Sequence, residues 1–173
     1  MTLSCVDEAI IILRKVLMKI TGLSNEMIIN GESIRGAELV TIKNGQKVPI
    51  GYDETCLVTY CEPIDDISVV EGYGGIQSVQ SYEFHIIVYG NRCKKVAQKI
   101  KGNFYTRGVL DILNENGIGL LSIQPIENAS TFMTGNTYVL RNDLRIRFDC
   151  AFGDETAIPQ NDIKKGAIED YEL

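Results

Sequence analysis

Hydrophobic and polar residues alternate with a period of two near the C-terminus, over residues 138–152. The even positions carry the apolar side chains Leu140, Leu144, Ile146, Phe148, Cys150 and Phe152, and only Asn142 breaks the pattern. The odd positions carry Arg141, Asp143, Arg145, Arg147 and Asp149. This period predicts a long C-terminal β-strand with one buried face and one charged face. Solvation rarely requires three arginines alternating with acids, so the charged face is a candidate contact surface or channel lining.

Two other segments have the 3.6-residue period of amphipathic helices. The first begins at a cap provided by Ser4 or Asp7 and continues to about Thr21. The second follows a strand break at Gly90 and is ended by Gly117. These are the two main helices that the sequence predicts.

Strand patterns predict the remaining elements. We expect central strands at residues 56–64, 78–89 and 118–126, and short extended segments at residues 28–29, 39–42 and 47–50. Residues 65–77 and 128–136 are predicted to be connections. The order of elements predicts an α+β fold with a mostly antiparallel β-sheet and two main helices packed on it. We expect one domain over residues 1–173, with residues 153–173 as an acidic C-terminal tail or arm.

The composition argues against some classes of protein, namely nucleic-acid-binding and membrane-spanning proteins. A chain of 173 residues suits one domain with a hydrophobic core, and its net charge of −6 argues against tight binding to nucleic acid. It does not argue against nucleic acid passing nearby. No apolar run approaches the roughly 20 residues that span a bilayer. The N-terminus lacks the basic region of a signal peptide, so we expect a cytoplasmic location.

Reactive and metal-binding residue types give little support for an enzyme. The five cysteines form no C-x-x-C pair, and the one histidine, His85, has no recognisable nucleophile framework. We therefore predict no cofactor and no metal. The acids Glu62, Asp65, Asp66 and Glu71 lack the order of a calcium loop, so a solvated loop or a channel lining is the favoured interpretation.

Three motifs together resemble a family of phage proteins. They are a strand ending in Tyr89-Gly90 before a lysine-rich helix, the helix end Leu113-Asn114-Glu115-Asn116-Gly117-Ile118, and the strand Arg141-Asn142-Asp143-Leu144-Arg145-Ile146-Arg147-Phe148. Their order and spacing resemble the neck or tail-terminator proteins of tailed bacteriophages and related contractile particles. The resemblance covers roughly residues 78–170. The segment 23–75 matches no pattern of that family.

The resemblance implies a structural protein of the virion that is assembled in the host cytoplasm and has no catalytic residues. It implies a ring, usually of six copies, that caps the tail tube, ends tail polymerisation and joins the tail to the head or neck. The expected partners are further copies of the chain, the tail tube protein, and sheath or head–tail connector proteins. DNA would pass through the lumen without specific binding, and no membrane is involved. The family pattern assigns structural positions to three residues: Gly90 at the strand–helix corner, Gly117 at the helix end and Arg141 at the start of the last strand.

Alternatives remain open at this stage. The face formed by Arg141, Arg145 and Arg147 is either a subunit contact or a solvated sheet face with cross-strand ion pairs. Another neck component, such as a head–tail stopper or sheath terminator, would fit the same motifs. From a different class, a small cytoplasmic enzyme using Cys61 or His85 is the remaining hypothesis. The acidic C-terminal segment is either a disordered end or an arm that packs on a neighbour.

Overall fold

The alternating segment near the C-terminus lies inside a seven-stranded β-sheet. The structure, a computed structural model, describes residues 3, 5–31, 40–43, 46–49, 55–65, 68–72, 75–133 and 137–153. Its helices are α1 (Val6–Thr21), α2 (Cys93–Phe104) and α3 (Arg107–Glu115). Its strands are β1 (Ile28–Asn30), β2 (Val40–Lys43), β3 (Gln46–Pro49), β4 (Cys56–Pro63), β5 (Ser68–Gly72), β6 (Gly75–Tyr89), β7 (Ile118–Ile123), β8 (Glu127–Asn128), β9 (Thr131–Met133), β10 (Thr137–Val139) and β11 (Arg141–Gly153).

The two longest strands, β6 and β11, form the centre of the sheet. The strand order is β1-β4-β6-β11-β7, with β5 also paired to β6 and β8 also paired to β11. The pair β6–β11 is antiparallel from Arg141 opposite Tyr89 to Gly153 opposite Gln77. Among the described strand pairs of this sheet only β1 and β4 run parallel, and Leu3 forms an isolated parallel bridge with Phe152 of β11. The predicted α+β class and mostly antiparallel sheet are confirmed.

One face of the sheet packs against the helices and forms the main core. The alternation places Phe84 and Ile86 of β6 beside Ile146 and Phe148 of β11, each at most 1% exposed. Each fully buried side chain of this size contributes about 1.5–3 kcal/mol relative to exposure. The helices supply Ala9, Leu13, Leu17, Ala97, Ile100, Phe104 and Leu113 to the same cluster. The core therefore fixes which face of β6 and β11 is left for other contacts.

The helices differ from the prediction in two details. The segment after Gly90 forms two helices, because the N–H and Oγ1 of Thr106 both donate to the carbonyl of Asn103 and end the α-helical pattern there. The N-cap of α1 is Cys5, which makes no side-chain capping bond. The predicted cap at Asp7 is therefore wrong, and the alternative, Ser4, lies outside the described residues. Asp7 instead lies in the first turn, where a negative charge favours the helix dipole.

Several strand boundaries also differ from the prediction. The connection predicted at residues 65–77 contains β5 and the start of β6, which form a hairpin with Gly72 opposite Gly75. The loop predicted at residues 128–136 contains β9, which pairs with β10. The long C-terminal strand consequently begins at Arg141, and Tyr138 belongs to β10. Backbone pairing determines these short strands more than apolar periodicity does, which is why the sequence pattern does not show them.

Two glycines occupy the corners that the sequence singled out. Gly90, at the end of β6, has φ 107°, and Gly117, between α3 and β7, has φ 72°. Residues that have a Cβ rarely adopt these backbone angles, so glycine is favoured at both corners. None of the described helices is long and apolar enough to cross a membrane.

Candidate functional site

The face of the sheet opposite the helices carries the charged residues of the alternating strand. Strand β6 pairs with β4 on one side and with β11 on the other, which sets residues of all three strands in rows. One row contains Glu62, Glu83 and Arg147, and the next contains Tyr60, His85 and Arg145. We call this surface the charged face; its ionisable members are Glu62, Glu83, His85, Arg141, Asp143, Arg145, Arg147 and Asp149.

Glu83 is the centre of the charged face. Its Oε2 accepts a hydrogen bond from Nε of Arg147 at 2.8 Å, and its Oε1 lies 3.9 Å from Nη1 of Arg145. The Glu83 side chain is only 13% exposed, whereas those of Arg145 and Arg147 are 42% and 47% exposed. Glu62 lies directly opposite Glu83, and like charges in that position repel. The two arginines therefore offset a repulsion that the strand register imposes.

His85 lies between the two glutamates. Its ring stacks on Tyr60 with centroids 4.3 Å apart. Its Nε2 lies 3.3 Å from Oε2 of Glu62 and 3.4 Å from Oε1 of Glu83, but it forms a hydrogen bond with neither carboxylate. Cys61 faces the main core on the other side of the sheet, so Cys61 and His85 do not form one site.

Arg141 is held within its own strand. Its Nε and Nη2 donate to the two carboxylate oxygens of Asp143, each at 2.6 Å, and its guanidinium lies 5.8 Å above the Tyr89 ring. The hydrogen bond with Asp143 raises the pKa of Arg141. Burial raises the pKa of Tyr89, and the charge of Arg141 opposes that shift. This bidentate pair is a strong interaction, so Arg141 and Asp143 bind mainly to each other.

The other two residues of the predicted interface also have intramolecular partners. Nη2 of Arg145 donates to Oε2 of Glu127 in β8 at 3.2 Å. Asp149 accepts a 2.6 Å hydrogen bond from the hydroxyl of Ser81 in β6. The cross-strand ion pairs expected for a solvated face are thus present. The side chains of Arg145 and Arg147 nevertheless remain nearly half exposed.

A second apolar cluster covers one end of the charged face. Cys56, Val58 and Tyr89 are buried there, with Met27, Ile29 and Ile87 packed against them. Burial raises the pKa of Cys56 to about 12. On the opposite face, burial also raises the pKa of Cys150 to about 12. Both thiols are consequently neutral at pH 7, as buried hydrophobic side chains.

The predicted acidic loop is only partly described. Glu62 and Asp65 are exposed at the end of β4, where the Asp65 carbonyl accepts a bond from Nε2 of Gln80. Glu71 belongs to the backbone of β5, but its side chain lies outside the described residues, as does Asp66 altogether. Within the described ranges, no three or more His, Cys, Asp or Glu residues are grouped to hold a metal ion. A lumen-lining role for this loop remains a prediction.

Sequence reasoning missed the residues that organise the charged face. Glu83, Glu127, Ser81 and Tyr60 contact the predicted residues through strand pairing. Alternation in β6 placed Glu83 and His85 on one face, which was the available signal. The register of β6 against β4 and β11 was needed to show which charges meet.

The chain is similar to a known protein family over most of its length. A family model described as phage neck terminator protein matches residues 12–172. No curated protein matches the chain. The matched range contains all the strands of the sheet and most of α1.

Proposed function

Because the chain belongs to the phage neck terminator family, we propose that it forms a closed ring, of six copies, that caps the tail tube. Family membership makes the chain a structural component of the phage neck and tail, not an enzyme. In the proposed role the ring ends tube polymerisation and presents a surface for joining the head. Its partners are the tail tube protein and the sheath or head–tail connector proteins.

The charged face carries the proposal at residue level. A closed ring requires two different surfaces on each copy, because every contact is heterologous. Arg145 and Arg147 are anchored by half-buried Glu83 and present their exposed sides away from the helices. We assign the subunit or tube contact to these two arginines. Arg141, Asp143 and Asp149 have a supporting role, since each is engaged in a short hydrogen bond within its own copy.

The opposite interpretation is that the arginines serve only their own sheet. Exposed ion pairs of this kind contribute about 0–1 kcal/mol, too little to explain a requirement for assembly. Like charges placed at a desolvated contact cost several kcal/mol. The two interpretations therefore differ most in how charge reversal affects association.

The test compares arginine variants with a variant that breaks the same intramolecular pairs. Arg145→Glu with Arg147→Glu, and the neutral Arg145→Gln with Arg147→Gln, should leave a folded protein with impaired rings. Glu83→Gln removes the negative charge that both arginines share but keeps the arginines, so its rings should persist. Light scattering after size exclusion measures the mass, which is about 115 kDa for six copies of 19.2 kDa.

Arg107→Glu is the control for surface charge. Arg107 is 94% exposed on α3, where it pairs with Asp111. Rings should be normal in this variant. If the arginine variants form rings as well as the unchanged protein at physiological salt, the charged face is a solvated surface. If Glu83→Gln loses as much ring as the double variant Arg145→Gln with Arg147→Gln, the effect is due to the folding of the sheet and not to the contact.

A further inference from the structure

Helix α2 presents a surface of positive charge in an acidic protein. Residues 84–110 contain six lysines and arginines and no acid. Four of the lysines, Lys94, Lys95, Lys99 and Lys101, belong to α2, and we call them the basic face. Three are exposed and Lys101 is half-buried. Within the part of the chain that the structure describes, none of the four forms an ion pair.

The core keeps these lysines together. The opposite side of α2 is fixed in the core, because Ala97, Ile100 and Phe104 are fully buried, so the lysines stay on the outer side of the helix. Lys95 and Lys99 are four residues apart, a spacing at which like charges are neighbours and repel each other. Residues 84–110 carry +6 within a chain of −6, so the remainder carries −12. The lysines of α2 repel one another, and the rest of the chain is strongly negative. Both facts favour an acidic segment as the group that binds the basic face.

The chain itself contains a matching segment. Residues 154–173 carry six acids and two lysines, and Glu169, Asp170 and Glu172 lie together near their end. They follow β11, whose start is fixed beside α2 by the hydrogen bond from Sγ of Cys93 to Oδ1 of Asn142. From Asn142 to Gly153, β11 extends about 37 Å away from that point. Twenty extended residues reach at most about 70 Å, enough for an adjacent copy.

We propose that residues 154–173 of one copy bind the basic face of α2 on the adjacent copy in the ring. This inference rests on the proposed ring, and it supplies the two unlike surfaces that a heterologous contact needs. Double-stranded DNA is a weaker candidate, because the strongly negative remainder of each copy repels phosphate. The contact is electrostatic, so it should weaken as salt increases.

Charge reversal in full-length chains provides the test. The helix variant combines Lys94→Glu, Lys95→Glu and Lys99→Glu; the segment variant combines Glu169→Lys, Asp170→Lys and Glu172→Lys. We expect each alone to lower the fraction of ring more than tenfold. A mixture of the two variants should restore rings. The acidic segment of the helix variant binds the basic α2 of the segment variant, and the basic segment of the latter binds the acidic α2 of the former. One chain carrying both sets should also restore them. Circular dichroism should show the same helix content throughout.

Lys15→Glu with Lys19→Glu on α1 is the matched control, because both lysines are exposed, and it should leave rings normal. Normal rings from either single variant overturn the proposed contact while leaving the ring itself intact. Rescue by the combined chain but not by the mixture places the contact within one copy, which also overturns it. Normal rings with reduced retention of double-stranded DNA at low salt would assign the basic face to nucleic acid. An unchanged protein that is monomeric overturns both the ring and this contact.

Discussion

Asn142 is the single break in the alternation of β11, and its removal should destabilise the protein measurably. Its Oδ1 accepts a hydrogen bond from Sγ of buried Cys93 at 2.9 Å, and its Nδ2 donates to the carbonyl of Glu127 at 3.4 Å. The side chain is 6% exposed, so Asn142→Ala leaves a gap as well as lost hydrogen bonds. Hydrogen bonds contribute about 0.5–1.5 kcal/mol each, and the thiol is a weak donor. We expect a loss of about 2 kcal/mol in the free energy of unfolding.

Urea unfolding at one fixed protein concentration measures this loss, because assembly makes apparent stability depend on concentration. Asn103→Ala is the matched control, since Asn103 makes only an exposed side-chain bond to the carbonyl of Lys99 and should change stability by less than about 0.5 kcal/mol. A double-mutant cycle with Cys93→Ala should show a coupling of about 0.5–1 kcal/mol. A negligible effect of Asn142→Ala, or no coupling to Cys93, would refute the reasoning.

Two further predictions test the core. Phe148→Ala should lower the free energy of unfolding by about 3–5 kcal/mol, because Phe148 is 1% exposed and its ring stacks on Tyr82; a loss below 1 kcal/mol in urea unfolding would contradict the packing. Burial raises the pKa of Cys56 and Cys150 from 9.0 to about 12, so the unfolded thiols ionise first as pH rises. Stability should be full below pH 9 and fall between pH 9 and 12, by up to about 1.4 kcal/mol per pH unit for each thiol. Flat stability over that range would contradict their burial.

Periodicity predicted the elements that bury a continuous apolar face. Strands β6 and β11 and helix α1 all repeat their apolar residues at the period of the element, and the structure confirms them. The Asn142 break has a physical explanation in its buried contact with Cys93. The short strands β5 and β9 were not predicted, because each is defined by pairing with a neighbouring strand.

The charged face shows a different limit of sequence reasoning. Alternation placed Arg145 and Arg147 on the same surface, and the structure confirms this. Their partners Glu83 and Glu127 come from other strands and depend on register, which one sequence does not reveal. The sequence could therefore predict that a charged surface exists but not that Glu83 organises it.

Tail length in particles made without this protein tests the central claim most directly. A terminator covers the end of a polymer whose subunits would otherwise keep adding, so its absence should lengthen tubes without affecting the folding of the tube subunit. Electron microscopy of such particles should show tails of abnormal, mostly excessive, length and heads without tails. Purified protein added to these tubes should cap the end distal to the baseplate. Tails of normal length that fail to join heads would contradict the terminator role and indicate a stopper or connector.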